Sequence, residues 1–242
     1  MAKEKKFKVK KRFKWSDMVI HGLVRLFNRK PEAIINLSGA PLPKQCVLLG
    51  NHNGSKGPIT FRLFIRDVYM TWSAHQMCER FCSRYNYLYH TFYRQKYGYG
   101  RLKSFIKSVL LGFVAPWVYS YGGVFPVYYD NRLVKTYKYS IEIIENNVPV
   151  LIFPENSNEG YTDILEQFWP GYLTLPKMYY KKHGIDLPVY CLRYDKDPKR
   201  ITIGKPMYYN ELAKTHTDEE INKMFLDYMN SLKNVQANII NP

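Results

Sequence analysis

Cysteine is scarce in this sequence, which contains only four in 242 residues, at irregular spacing. They are Cys46, Cys78, Cys82 and Cys191. This spacing argues against a disulfide framework and favours reduced thiols in a reducing compartment. A secretory signal is also missing, because polar residues from Ser16 to Arg25 interrupt the apolar stretch that follows the basic amino terminus.

Acidic residues are also few: 20 Asp and Glu stand against 36 Lys and Arg, a formal net charge of +16. The opening segment "MAKEKKFKVKKRFK" contains eight basic residues and one Glu, or +7, which leaves +9 for the rest of the chain. A charge of this size calls for an anionic partner, such as a membrane surface, an acidic carrier protein or a nucleic acid.

No repeat, linker or low-complexity block divides the chain, and a hydrophobic content of 46% excludes wholesale disorder. The length suits one sizeable α/β domain. We therefore expect two parts: residues 1–35, a basic arm with an amphipathic membrane-associating helix, and residues 36–242, a single α/β domain.

Residues 15–29, "WSDMVIHGLVRLFNR", have apolar side chains at helical spacing, with Ser16 as the predicted N-cap. Basic residues beside such a helix are typical of a membrane interface. The predicted membrane-binding residues are Lys10, Lys11, Arg12, Trp15, Leu23 and Phe27. The alternative is a core-packing helix behind a solvated or nucleic-acid-binding tail.

Short apolar strands alternate with helical patterns along the rest of the chain, which predicts a sheet with helices on both faces. Strands are predicted within 46–52, 66–72, 122–129, 148–155, 186–194 and 200–206. Helices are predicted over about 76–96, 134–147 and 163–184, the last one broken near Pro170, and in a closing segment from about Thr217. The most apolar stretch, residues 104–120, is short and interrupted by Lys107 and Pro116, so it is interpreted as a core helix or a membrane-dipping segment and not as a membrane span.

Three of these strands end in polar residues, in "VLLG-NHNGSKG", "GGVFPV-YYDNR" and "VLIF-PENSNEGY". Ligands of open α/β sheets gather outside the carboxyl ends of the strands, so His52, Glu155 and the Tyr128–Arg132 group are expected along one edge. A histidine there is a natural general base, because its ordinary pKa lies near neutrality.

The order of Asn51-His52, Gly123-Val-Phe-Pro, Phe153-Pro154-Glu155, Leu187-Pro188-Val189 and Ile203-Gly-Lys-Pro resembles the glycerolipid acyltransferase family, typified by 1-acylglycerol-3-phosphate acyltransferase. The resemblance spans about residues 45–206. It implies an acyltransferase-like sheet flanked by helices, held peripherally on the cytoplasmic face of a membrane.

The resemblance also implies the reaction. His52 would deprotonate a hydroxyl of a lysophospholipid or related acceptor, which would attack the thioester of acyl-CoA or acyl carrier protein. Backbone amides near the motif turns would stabilise the oxyanion. The acyl thioester would be a co-substrate, and no cofactor or metal is expected.

The sequence departs from the family at three positions. Gly57 stands where the N-H-x-x-x-x-D motif places its carboxylate, Arg132 comes three or four residues late after "GGVFPV", and "FPENSN" replaces F-P-E-G-T-R. Glu155 is therefore the predicted replacement that orients His52, with a backbone carbonyl as the alternative. The predicted substrate-binding residues are Asn51, Lys56, Gly123, Arg132, Pro154 and Ser157.

Other functions remain open at this level. A catalytically silent, lipid-binding relative would keep the fold and lack the reaction. A nucleic-acid-binding protein would fit the charge, but the aromatic residues fall mainly on apolar faces, so no nucleic acid is expected. A zinc site of His75, Cys78, Cys82 and His90 on one helix is the weaker alternative to buried thiols.

Overall fold

The computed structural model describes residues 9–12, 14–54, 56–65, 68–157 and 160–235. Most of the predicted basic arm, residues 1–8 and 13, lies outside this part. In the described part, an eight-stranded, mostly parallel sheet is flanked by helices. The mixed α/β class predicted from the alternating pattern is confirmed.

The central strands are short and apolar, as buried parallel strands are. The strands are β1 Ala33–Asn36, β2 Val47–Gly50, β3 Met70–Ala74, β4 Val124–Val127, β5 Val150–Ile152, β6 Pro188–Asp195, β7 Arg200–Ile203 and β8 Met207–Tyr208. Their order is β1-β7-β6-β2-β5-β3-β4, and β8 pairs with β6. The β6–β7 and β6–β8 pairs are antiparallel, and the other pairs are parallel.

The helices are α1 Trp15–Leu26, α2 Lys56–Phe64, α3 His75–Cys78, α4 Phe81–Asn86, α5 Arg101–Gly122, α6 Leu133–Glu145, α7 Thr174–His183, α8 Tyr209–Leu212 and α9 Asp218–Ser231. A π-helix, Tyr87–Lys96, continues α4, and 3₁₀ turns occupy Pro170–Leu173 and Leu232–Asn234.

The sheet separates two apolar layers because its side chains alternate between faces. Val47 and Leu49 of β2 face the side covered by α6, α7 and α9, whereas Leu48 faces the side where Phe61 of α2 packs. A smaller cluster joins α3, the π-helix and α5 through Met77, Leu88 and Ala115. The carboxyl end of β2 therefore lies between two packed layers.

Several helix boundaries differ from the predictions. Lys14, not Ser16, is the N-cap of α1, and the Asp17 carboxylate accepts the Lys14 backbone N–H at 2.7 Å. Residues 163–169, predicted as helix, are not helical, and the helical part begins at Pro170. The start of α9 at Thr217 is confirmed, with a reciprocal capping box to Glu220. The predicted boundary after residue 35 falls inside β1, which pairs with β7.

Candidate active site

The turn after β2 is tied to β6 by the side chain of Asn51. Its Nδ2 donates to the Tyr194 carbonyl at 2.9 Å, and its Oδ1 accepts the Tyr194 backbone N–H at 2.7 Å. The side chain is buried, so these two bonds replace its contacts with water. Asn51, predicted to bind substrate, instead holds the strand end that positions His52.

Gly57 allows α2 to approach the same turn closely. Its backbone N–H donates to the His52 carbonyl at 2.8 Å. A Cβ at this position would lie 2.2 Å from the Asn51 carbonyl oxygen and 2.5 Å from that of His52. Any side chain would therefore force α2 away from the turn, and the aspartate of the resembling family does not fit this backbone.

Glu155 lies beside His52 because β5 is the parallel neighbour of β2. Its Oε2 accepts the His52 backbone N–H at 2.9 Å and is 3.6 Å from the ring Nδ1, although the two residues are 103 positions apart. The carboxylate is buried, whereas 26% of the His52 side chain is exposed. Nδ1 is buried and makes no hydrogen bond with a described residue, which leaves Nε2 as the ring nitrogen that a substrate can reach.

Aromatic rings enclose the imidazole. The ring centroid of His52 is 4.7 Å from that of Phe153 and 5.5 Å from that of Tyr161. Tyr97 contacts Tyr161 and also covers Gly54, where a Cβ would lie 2.9 Å from the tyrosine hydroxyl. Gly54 also has a positive φ of 67°, so two separate constraints favour glycine there.

A half-buried cation, Lys96, lies next to these residues. Its Nζ donates to the Ser157 hydroxyl at 2.7 Å and lies 5.9 Å from the Tyr161 ring. Burial lowers the pKa of Lys96, and the nearby Glu155 carboxylate opposes that shift. Lys96 is not recognisable from the sequence, since nothing within residues 76–96 indicates that the end of the π-helix reaches the carboxyl end of β5.

Ser157 and Pro154, both predicted to bind substrate, make different contacts. Ser157 is buried and belongs to the site through Lys96. Pro154 is buried directly before Glu155, and its carbonyl accepts the Trp169 backbone N–H at 2.8 Å. It anchors the segment that carries the carboxylate.

Two backbone amides next to the histidine are already engaged. The His52 N–H donates to Glu155 and the Gly57 N–H donates to the His52 carbonyl. An oxyanion at this site would need other donors than these two.

Three predicted substrate-binding residues are not brought to the His52 ring. Arg132 follows β4, three positions from β2 in the sheet, or about 14 Å at the usual strand spacing. Its side chain pairs with Asp130 and stacks on Tyr128. Gly123 lies at the opposite, amino end of β4, where its φ of 61° ends α5. Lys56 is exposed at the start of α2 and borders a cavity on the Tyr194 side of the turn.

The predicted membrane-binding residues are divided. Lys11, Arg12, Trp15, Leu23 and Phe27 are exposed. Lys10 is not free for a head group: its Nζ lies 2.9 Å from the Asp17 carboxylate and donates to the carbonyls of Ser120 and Tyr121, at the end of α5. Burial lowers the pKa of Lys10. It fastens α1 to α5, and the ring Nδ1 of His21 adds a 2.7 Å hydrogen bond to the Tyr121 hydroxyl.

The helices α1 and α5 pack against each other and expose large apolar side chains. We call these the α1–α5 apolar residues: Trp15, Met18, Val19, Leu23, Leu26, Phe27, Leu102, Phe105, Ile106, Leu110, Phe113, Val114 and Trp117. The small side chains of α5, including Ser104, Ser108, Gly112 and Ala115, face the protein instead. By length and composition alone, α5 is the one helix in the described ranges that meets the requirement for crossing a bilayer.

The proposed zinc ligands do not share one helix. Glu79 and Arg80 separate α3 from α4, so the spacing of His75, Cys78 and Cys82 is not that of a continuous helix face. Within the residues described, no group of three or more His, Cys, Asp or Glu side chains is placed to hold a metal ion.

Comparison with known proteins finds no protein-family model and no curated protein that matches this chain.

Proposed function

We propose that this protein is a membrane-associated acyltransferase that moves an acyl group from an acyl thioester to a hydroxyl of a lysophospholipid or related acceptor. The observation that carries the proposal is the pairing of His52 with Glu155 at the carboxyl ends of two adjacent parallel strands. Open α/β sheets bind their ligands at this edge. The resemblance of the motifs around both residues to glycerolipid acyltransferases supplies the type of reaction.

In the proposed reaction, His52 Nε2 takes the proton of the acceptor hydroxyl as its oxygen attacks the thioester carbonyl. The tetrahedral intermediate then collapses, the C–S bond breaks, and the thiolate of CoA or of acyl carrier protein leaves and takes the proton from His52. Glu155, on the Nδ1 side, orients the ring and stabilises the imidazolium, in place of the carboxylate that Gly57 does not provide.

The α1–α5 apolar residues support the membrane part of the proposal. Helices of water-soluble domains turn their large apolar side chains towards the core, whereas α5 turns small residues inward and large ones outward. Exposed apolar surface on this scale marks a contact with a membrane or a partner. Exposed, unpaired Cys78 and Cys82 fit a reducing compartment, and hence the cytoplasmic face.

The test is an acyl-transfer assay on the full chain, with lysophospholipids as acceptors and either acyl-CoA or acyl carrier protein as donor, read by mass spectrometry. We expect acylated product from the wild-type protein and loss of about 10³-fold or more in His52→Ala. His216→Ala, an exposed histidine before α9, is the matched control and should keep full activity.

A catalytically silent, lipid-binding relative is the second candidate. The 3.6 Å between Nδ1 and Oε2 is longer than a hydrogen bond, which favours it. Binding of wild-type protein to lysolipid vesicles without transfer from either donor would establish this candidate. Equal turnover in wild-type and His52→Ala protein would remove His52 as the base.

A further inference from the structure

A polar cavity lies on the Tyr194 side of the turn that carries His52. It has a volume of about 200 Å³ and is formed where the chain leaves α1, where α2 begins, and where β6 turns into β7. The residues that line it are Phe27, Asn28, Arg29, Lys56, Thr60, Tyr194 and Lys199. Pockets for whole drug-sized ligands usually hold about 300 Å³ or more, so this one suits a smaller polar group.

Three cations from three separate segments meet at this cavity: Arg29, Lys56 and Lys199. No carboxylate in the described part of the chain forms an ion pair with any of them. The neighbouring arginines of β6 and β7 differ, because Arg193 and Arg200 share the buried carboxylate of Asp195. The three cations therefore lie without a direct carboxylate partner in the described ranges. Burial, with a smaller contribution from the Asp197 and Asp195 carboxylates, raises the pKa of Tyr194 in the cavity wall, so these two acids are the nearby negative charges.

The wall between the cations carries neutral hydroxyl groups. Thr60 and Tyr194 are buried, and their side chains hydrogen-bond to each other. Hydroxyls beside Lys and Arg form the donor set that recurs where proteins hold phosphate oxygens. Such a set provides both charge and hydrogen bonds for an anion.

We propose that the cavity bordered by Arg29, Lys56 and Lys199 binds a phosphate group, as a phosphate monoester or a diphosphate. The guanidinium and the two ammonium groups neutralise its charge, and the hydroxyls of Thr60 and Tyr194 complete the polar wall. This binding does not depend on acyl transfer and is measurable whether or not His52 is a base.

The cavity lies close to the α1–α5 apolar residues and to the His52 turn. Phe27, one of the α1–α5 apolar residues, lines it, so a lipid head group at a membrane surface is within reach. Lys56 follows His52 by four residues, and four residues span at most about 14 Å. The cavity and the imidazole therefore lie on the same turn-to-helix segment, although His52 does not line the cavity. The phosphate can come from a lipid head group or from a soluble molecule such as the thioester donor.

The experiment compares two double variants that remove the same charge from positions within three residues of each other along the chain. Arg29→Gln/Lys199→Gln changes the cavity, whereas Lys30→Gln/Lys196→Gln changes exposed neighbours that do not line it. Inorganic phosphate and pyrophosphate are titrated into the full chain by calorimetry at constant ionic strength. Vesicles of phosphatidylcholine with or without phosphatidic acid form the lipid arm, and thermal unfolding checks that both variants are folded.

We expect the cavity variant to lose about tenfold or more in affinity, and the neighbour variant to stay within about twofold of wild type. Loss in the soluble arm alone assigns the site to a free phosphate compound, and loss with phosphatidic acid vesicles assigns it to a lipid head group. Equal losses in the two variants, or no phosphate binding by wild-type protein in either arm, would overturn the proposal.

Discussion

Polar residues follow both β2–β5 and β4 at the carboxyl edge of the sheet, yet the two groups have opposite environments. After β2 and β5, Glu155 is buried beside His52, and Lys96 donates a hydrogen bond to Ser157 next to them. At β4, the Asp130 and Arg132 side chains are about half exposed and bind each other. The first group has packed layers on both sides, and the second lies at the edge of the sheet.

This difference shows that the position of a strand in the sheet determines whether the polar residues after it are buried and interact strongly, or are exposed to solvent. Charges at adjacent central strands interact strongly because water is largely excluded. An exposed ion pair contributes little, since water and salt screen it. The four changes below test the contrast, beginning with the largest expected effect.

Glu155→Gln keeps an oxygen that can accept the His52 backbone N–H and removes the charge on the Nδ1 side. We expect the proposed acyl transfer to fall on the order of 10³-fold while the protein remains folded. Steady-state turnover and circular dichroism give the two readings. Undiminished turnover would show that a backbone carbonyl or another group orients the ring.

Gly57→Ala places a methyl group where two carbonyl oxygens are within 2.5 Å. We expect a loss of roughly 3 kcal/mol in the free energy of unfolding, because α2 must move away from the turn. Chemical denaturation measures the loss. Gly22→Ala is the matched control, since a Cβ there meets nothing within 4 Å; its stability should not fall. Equal stabilities for the two variants would contradict the close approach of α2.

Lys96→Met keeps most of the unbranched side chain and removes the half-buried charge near Glu155. We expect about a tenfold loss of turnover, because Ser157 loses its donor and the site loses its cation. Unchanged turnover would limit Lys96 to a structural role.

The difference in the free energy of unfolding between wild type and Lys96→Met should depend on pH. Because burial places the folded pKa of Lys96 below its ordinary 10.5, its stability contribution is complete above pH 10.5 and is lost as pH falls through the folded pKa. Wild type should therefore gain stability relative to Lys96→Met as the pH rises towards 10.5. A pH series of denaturation curves measures the difference.

Arg132→Gln removes the exposed partner of Asp130, and we expect turnover to stay within about twofold and the melting temperature to stay unchanged. Its one clear effect should be local. Side-chain hydrogen bonding to Arg132 holds the pKa of Asp130 at about 2, so the variant should raise it towards 3.8, as measured by NMR titration. A tenfold loss of turnover would bring Arg132 back into the substrate site.

Much of the fold was predictable from local patterns. The apolar runs that became β2, β5 and β6 and the Thr217–Glu220 capping signal of α9 are local properties of the chain. The error at residues 163–169 has a non-local cause: Glu155 pairs with Phe168 in an isolated bridge, and Leu165 bonds to Asn230. Such contacts override a helical pattern.

The candidate site was only partly predictable. Placing His52 and Glu155 on one edge needed only the rule for parallel strand ends. The contacts of Asn51 and Lys10 were not predictable, because their partners, the Tyr194 backbone and the end of α5, are about 110 or more residues away along the chain.

Sequence alone was sufficient for the α/β class, the polar strand ends and the pairing of charge with apolar surface at the amino terminus, because propensity, periodicity and composition act over short distances. The tertiary structure decided the rest. Strand order put Glu155 beside His52 and left Arg132 at the edge of the sheet, and packing of the π-helix brought Lys96 to Ser157. The tertiary structure also explains why position 57 is a glycine. The residue that looked like a missing carboxylate is the point where α2 contacts the His52 turn, and only the distances to two carbonyl oxygens show that no side chain fits there.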